Sequence, residues 1–343
     1  MRNIYRYGIF LCLALQTAVE QVHAQAFDKA VYYASADGKK GQELKTAMAR
    51  IIFQSDAAVS YDGLKQAYLT TDTRPDGKIW DMYSNETNYV PGSPFASQYK
   101  NEGDGYNREH SIPQSLFSSA APMKSDLYHV YPVDAKINGV RGNYCFGEVG
   151  SVKTASRNNF SLLGTPAGSL KESGCAESYV FEPNDMYKGD FARTIFYFVT
   201  CYEDKMKGMG AFGMFAQNSY PSLSRWAQDM LIRWSENDAV SAKETDRIEA
   251  VYELQHNRNP FIDFPGLEQY IWGDYQEVAF SVSDYVNPLE PGGMDAMQEL
   301  TEPEAAGMTG TPVIFDISGR SVLHTSRLRP GLYIVDGRKI VIR

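Results

Sequence analysis

The stretch Asn107-Arg108-Glu109-His110-Ser111-Ile112-Pro113-Gln114-Ser115-Leu116-Phe117, NREHSIPQSLF, sets a carboxylate next to an imidazole shortly ahead of a proline. A histidine titrates near neutral pH, so it can take a proton from water and give it up again. Alone, His110 would read as a packed histidine. The second segment, Ser125 to Asn143 (SDLYHVYPVDAKINGVRGN), alters that reading, because it gathers Asp, Asn and Arg around one proline and two glycines. If both segments contribute strands, Glu109 and His110 point to opposite faces. One can then hold a metal while the other faces an attacking water. Hard divalent cations take oxygen ligands and need only one or two protein groups beside substrate phosphate. Glu109 and the side-chain carbonyl of Asn138 would suffice, with Mg²⁺ as the expected ion and Ca²⁺ or Mn²⁺ as alternatives. Arg141, within a helical turn of Asn138, is suited to bidentate contact with phosphate.

Composition limits what surrounds this pair. The chain has 343 residues, 43% of them hydrophobic and 13% aromatic, enough for one large packed domain plus a smaller one. With 33 Lys and Arg against 42 Asp and Glu, the net charge of −9 repels polyanions overall. A nucleic-acid site must therefore be a local basic cleft, and Arg108, Lys124, Lys136, Arg141, Lys153 and Arg157 could line one. Arg2 and Arg6, the apolar run Tyr7 to Leu15 and the small residues of Ala24-Gln25-Ala26 read as a secretory signal over residues 1–26. That run is too short for a membrane-spanning helix, which needs about 20 residues. Cys145, Cys175 and Cys201 would remain in the mature chain, an odd number with no C-x-x-C spacing. We expect at least two of them to be small buried residues.

Periodicity places helices around the pair. Leu44, Met48, Ile51 and Ile52 predict an amphipathic helix between Gly41 and Phe53, Phe191 to Val199 opens a strongly apolar one, and Trp226, Met230 and Trp234 mark a third. Ser241 and Glu244 form a capping box for a fourth, which stops near Asn257-Arg258-Asn259-Pro260. Residues 103–181, rich in Gly, Asn, Ser and Pro, read as loops with short strands, so the class is α+β. Residues 286–312 read as a linker of Pro, Gly and acid. Beyond it, Val313 to Ile317, Gly331 to Val335 and Ile340 to Arg343 alternate with Ser318-Gly319 and Asp336-Gly337, a pattern of short strands and hairpins.

This tail, residues 313–343, with D-I-S-G-R followed by L-R-P-G-L-Y-I-V, resembles the C-terminal sorting domain of proteins exported by the type IX secretion system of Bacteroidetes. A small β-cap on the main domain is the plainer alternative. The resemblance implies contact with secretion machinery, outer-membrane export and either release or attachment at the cell surface.

N-R-E-H-x-x-P, followed by D-L-x-x-x-x-P-x-x-x-x-x-N-G-x-R-x-N, resembles the endonuclease I family of exported, sequence-nonspecific nucleases. Gly189 to Thr194 and His256 to Asp263 also look like segments of that family. The resemblance implies a ββα-metal (His-Me finger) core with surrounding helices across residues 27–285. It makes His110 the general base and Glu109 and Asn138 the metal ligands. Some relatives carry a phosphate-binding arginine in the loop that here holds only Lys124, so Lys124, Arg141 or Arg193 could supply that role, Arg141 being placed first. Arg108 joins Lys124 and Arg193 as a candidate for substrate binding, though Arg193, on an apolar helix, could equally be a buried ion-pair partner. Asp126, as an N-cap or a partner to an active-site side chain, His129, as an orienting residue, and Asn143, in the following loop, are supporting candidates. Asp134 reads as solvated, and His256 and Asn257 as a helix stop. His324 belongs to the tail. Relatives often carry several disulfides, which three mature cysteines cannot reproduce.

The expectation is a secreted, monomeric, metal-dependent endonuclease that hydrolyses DNA, or RNA as well, with no stable membrane span. Two rivals stand beside it: a surface nucleic-acid-binding or adhesion protein without catalysis, and an extracellular phosphodiesterase acting on small esters.

Overall fold

The computed structural model describes residues 27–290 apart from 57, 87 and 97, together with short strand backbones in the tail. Its helices are α1 (Lys29–Tyr32), α2 (Gly41–Ile52), α3 (Leu64–Thr71), α4 (Ala135–Arg141), α5 (Gly168–Glu172), α6 (Lys188–Cys201), α7 (Arg225–Asn237), α8 (Ala242–Gln255), α9 (Pro260–Asp263) and α10 (Leu267–Ile271). The strands are β1 (Tyr106–His110), β2 (Val130–Asp134), β3 (Cys145–Phe146), β4 (Val149–Ala155), β5 (Leu162–Pro166), β6 (Val180–Glu182), β7 (Ile314–Asp316), β8 (Ser321–Val322), β9 (Gly331–Val335) and β10 (Arg338–Ile342). The chain divides into two units, residues 1–294 and 295–343.

In the first unit the core is centred on α6. Every residue of α6 after Lys188 is buried, which the run FARTIFYFV requires, since a helix apolar on all sides is stable only when enclosed. Leu44, Met48 and Ile52 of α2 and Trp226, Met230 and Trp234 of α7 are buried, as their spacing predicts. Phe196 stacks on Trp272 with ring centres 5.1 Å apart, and Trp272 on Phe261 at 5.9 Å. The capping box at Ser241 and Glu244 is present, and α8 ends on His256 in the left-handed region at φ 59°.

The feature that positions the site is β1, β2 and α4 in succession. β1 and β2 pair antiparallel, with Glu109 opposite Tyr131 and His110 opposite Val130. β2 runs straight into α4 through Asp134. This corrects the reading of Asp134 as solvated: it is fully buried. One carboxylate oxygen caps Ile137 N–H at 2.9 Å, and the other accepts from Tyr89 Oη at 2.7 Å and Gly103 N–H at 2.8 Å. Such a cap contributes about 1 kcal/mol. At the other end, Gly142 takes φ +54°, a conformation glycine adopts without strain. Within α4, a Cβ at Gly139 would lie 2.6 Å from Tyr99 Oη, so the glycine of N-G-x-R lets that tyrosine close on the helix.

Next to this motif lies a four-stranded sheet in the order β3-β6-β5-β4, parallel only between β3 and β6. Cys145, Cys175 and Cys201 are all buried and uncrosslinked. In the second unit the strand order is β10-β9-β7-β8, and Arg338 pairs with Val335 across the β9–β10 hairpin. The signal segment, most of the linker and His324 lie outside the described residues. Among the described residues no helix is long and apolar enough to cross a membrane.

Candidate active site

Strand alternation sorts the side chains of β1. Tyr106, Arg108 and His110 share one face, while Asn107 and Glu109 share the other. The contacts follow this division: Arg108 and His110 both meet the ring of Tyr61, whereas Glu109 meets Tyr83 and Arg141.

Glu109 is 1% exposed. Its Oε1 accepts from Tyr83 Oη at 2.8 Å and lies 2.9 Å from Arg141 Nη1, while among the described residues no hydrogen-bond donor reaches Oε2. Burial pushes its carboxyl up to about 7 even though the Arg141 charge and the Tyr83 hydroxyl pull it down. A cation at Oε2 would restore the carboxylate. Asn138 is half-buried on α4, and its Nδ2 donates to Arg108 O at 3.0 Å. That bond turns the amide so that Oδ1 is the acceptor left over.

His110 is 6% exposed, and its Nε2 bonds to Lys124 O at 3.0 Å. A carbonyl can only accept, so Nε2 carries the proton and Nδ1 carries the lone pair. Burial, and after it the positive potential of His129, Arg108 and Arg141, lowers its pKa to about 3, against the raising effect of the Lys124 carbonyl. The imidazole is therefore neutral at pH 7. His129 is fully buried and does not reach the open side of the site. Its Nε2 donates to Met123 O at 2.6 Å, and its ring centre lies 5.8 Å from that of His110. Two imidazoles thus hold successive carbonyls of the 3-10 turn Met123–Ser125. Burial lowers the His129 pKa to about 4.

The basic residues are placed differently from one another. Arg141 is 1% exposed and donates to His110 O at 2.8 Å and Ser111 O at 2.6 Å, besides facing Glu109. It braces the end of β1 from within: both terminal nitrogens are engaged by protein carbonyls, and Nε is buried without a partner among the described residues, so its burial does not suit the first place among phosphate ligands that the sequence suggested. Arg193 is not brought to the site. Its Nε and Nη2 donate to the two oxygens of Glu244 at 2.6 and 2.9 Å, and Nη1 donates to Asp238 O. Lys153 lies 4.0 Å from the centre of the Tyr179 ring, and Arg157 is 3.9 Å from Glu86. Arg108 and Lys124 remain beside His110, each half-buried.

Asp126 is neither an N-cap nor a partner of His110. It accepts from Tyr128 N–H and Gln255 Nε2 on one oxygen and from the hydroxyls of Tyr197 and Tyr202 on the other, which makes it a core hub. Asn143 is exposed in the turn after α4, and its side chain makes no hydrogen bond among the described residues. Sequence reasoning missed Tyr83, which holds Glu109, and Tyr61, which lies against Arg108 and His110. Neither falls in a periodic pattern or a motif, and 23 tyrosines give no reason to choose these two.

Among the described residues there is no cluster of three or more His, Cys, Asp and Glu side chains built to hold a metal. Two neutral or acidic oxygens, Glu109 Oε2 and Asn138 Oδ1, are what the site offers.

The chain is 32% identical over 254 residues to an extracellular ribonuclease of Bacillus amyloliquefaciens, covering 71% of this chain and 79% of that one. It is 31% identical over 256 residues to an extracellular ribonuclease of Bacillus subtilis, with the same coverage. The family description "Endonuclease I" matches residues 40–266, a span that takes in β1, β2, α4 and the helical core. The chain belongs to the endonuclease I family.

Proposed function

We propose that this protein is a secreted, divalent-cation-dependent nuclease that cuts nucleic acid internally, using water activated at Nδ1 of His110. The observation that carries this reading is the bond from His110 Nε2 to Lys124 O, which leaves a lone pair at Nδ1 of a neutral ring, one residue along β1 from Glu109. The donor set fits Mg²⁺, which takes oxygen ligands, keeps several waters and needs few protein groups, and so requires no larger acidic cluster. Glu109 and Asn138 would hold the ion, which when bound would neutralise charge on the scissile phosphate and stabilise the leaving oxygen.

The rest is the work of the chain itself. Nδ1 of His110 takes the proton from water, and the Lys124 carbonyl keeps the ring in the tautomer that can do so. Substrate phosphates beside the ring favour its protonated form, which raises its low pKa toward a useful value. Arg108 and Lys124 bind backbone phosphates, and contacts of that kind carry no base information. DNA and RNA are both substrates on this reading, which the ribonuclease relatives support for RNA. The relatives' printed description as extracellular supports secretion. Export by the N-terminal signal and the C-terminal sorting tail completes the proposal.

The test is incubation of supercoiled plasmid and of RNA with the mature protein, with Mg²⁺ or a chelator, beside His110→Ala and Glu109→Ala. We expect chelator to abolish cleavage and His110→Ala to reduce it by roughly 10²- to 10⁴-fold. Nicking that ignores chelator, or that survives His110→Ala, contradicts the mechanism. Hydrolysis of a small diester without nicking would shift the reading to a small-ester phosphodiesterase.

A further inference from the structure

Buried arginines in this protein are spoken for by carboxylates: Arg193 by Glu244, Arg247 by Asp72 and Arg258 by Asp263. Arg108 differs. Its nearest carboxylate, Asp62, lies 3.7 Å away with a fully exposed side chain, and its Nε is buried without any partner. Instead, the guanidinium carbon lies 3.6 Å from the centre of the Tyr61 ring and 4.4 Å from that of Phe95. Nη1 donates to the Tyr61 backbone carbonyl at 3.0 Å, and among the described residues Nη2 has no acceptor. Lys124 Nζ lies 4.5 Å from the centre of the same Tyr61 ring, and Lys124 forms no ion pair among the described residues.

Two cations are thus gathered on one aromatic ring beside His110, with no buried acid between them. Like charges brought together repel, and ordinarily a carboxylate would separate them. The negative face of a tyrosine ring attracts cations without occupying their hydrogen-bond donors. It therefore holds the charges near one another and leaves Arg108 Nη2 and Lys124 Nζ for a polyanion. His110 meets the same ring, with centres 5.9 Å apart, so this charge pair borders the base.

We propose that Tyr61, assisted by Phe95, is a positioning residue that presets Arg108 and Lys124 as a paired receptor for phosphates flanking the scissile one. The proposal rests on the nuclease reading above and deepens it. The ring fixes the plane of the Arg108 guanidinium, and the nucleic-acid backbone supplies the anion that the protein withholds.

The experiment measures binding of a fluorescein-labelled oligonucleotide across a salt series in the His110→Ala background, where cleavage does not interfere. Tyr61→Leu removes the ring, and Tyr61→Phe keeps it. We expect Tyr61→Leu to weaken binding roughly fivefold at low salt and to flatten the slope of log Kd against log salt by about one unit. Tyr61→Phe should match the parent. In the active background, Tyr61→Leu should raise KM and leave kcat within about threefold. Melting temperatures close to the parent establish that the variants fold. A folded Tyr61→Leu with unchanged Kd and slope overturns the proposal, as does a Tyr61→Phe as weak as Tyr61→Leu, or a loss confined to kcat. If the parent binds with the expected slope and Tyr61 dependence while the wild type cleaves nothing, the nuclease reading fails and the receptor stands.

Discussion

Arg141 and Lys45 show how single buried charges set the behaviour of this protein. Arg141 faces Glu109 and donates to two carbonyls at the end of β1. Arg141→Met leaves a buried carboxylate without its counter-charge, at a cost of about 3–5 kcal/mol, read from urea unfolding. Arg141→Lys keeps the charge but lacks the planar fork, so it should recover part of the stability and little of the activity. Lys45 is fully buried, donates to Ser219 O at 2.9 Å and lies 3.3 Å from Glu203. Burial brings its pKa down from 10.5 to about 8, against the raising effect of Glu203. Between those two values the unfolded chain holds a proton that the folded chain has released, so this residue makes stability rise with pH. Below about 8 it is charged in both states, and that gain is gone. Relative to Lys45→Met, the wild type should gain up to about 1.4 kcal/mol per pH unit from pH 8 to 10. Parallel stability profiles for the two proteins would contradict it.

Among the elements, the 3-10 turn Met123–Ser125 is the one on which the proposed chemistry rests. His129 donates to its first carbonyl and His110 to its second. His129→Ala should let the turn relax and misplace the acceptor that sets the His110 tautomer, lowering kcat roughly 10- to 100-fold with KM within about twofold. His129→Asn, which keeps a donor, should recover part of the loss. Steady-state kinetics on both variants decides it, and an unchanged kcat for His129→Ala would remove the turn from the mechanism. The helices α2, α6, α7 and α8 were legible in the sequence because apolar periodicity and a capping box are local signals. Motif spacing singled out Glu109, His110 and Asn138, which β1 and α4 carry. Tyr61 and Tyr83 were not legible, since each reaches β1 from a loop far off in sequence. Asp134 was misjudged for the same reason, since its partner Tyr89 is a tertiary fact that composition does not announce, and of the two readings open for Arg193 the structure takes the buried ion pair, with Glu244.

Taken whole, the molecule is an acidic protein, net charge −9, that keeps cations without buried acid partners beside its proposed base. Its own field opposes nucleic acid at long range, so binding should depend on the local pair and fall steeply with salt. The stacked aromatic core around α6, not cross-linking, holds the main unit together, since the three cysteines of the described residues are buried as thiols. Millimolar dithiothreitol should therefore leave both the melting temperature and the cleavage rate unchanged, and a shift in either would show a bond between chains or sulfurs that the fold does not need. The uncrosslinked thiols bear on the producing cell as well. If the chain hydrolyses DNA as proposed, a fold that forms without oxidation gives it no redox safety catch: it is armed wherever it folds. On that reading, protection of the host would fall to keeping the chain unfolded, or starved of the proposed cation, until it had left the compartment that holds the genome.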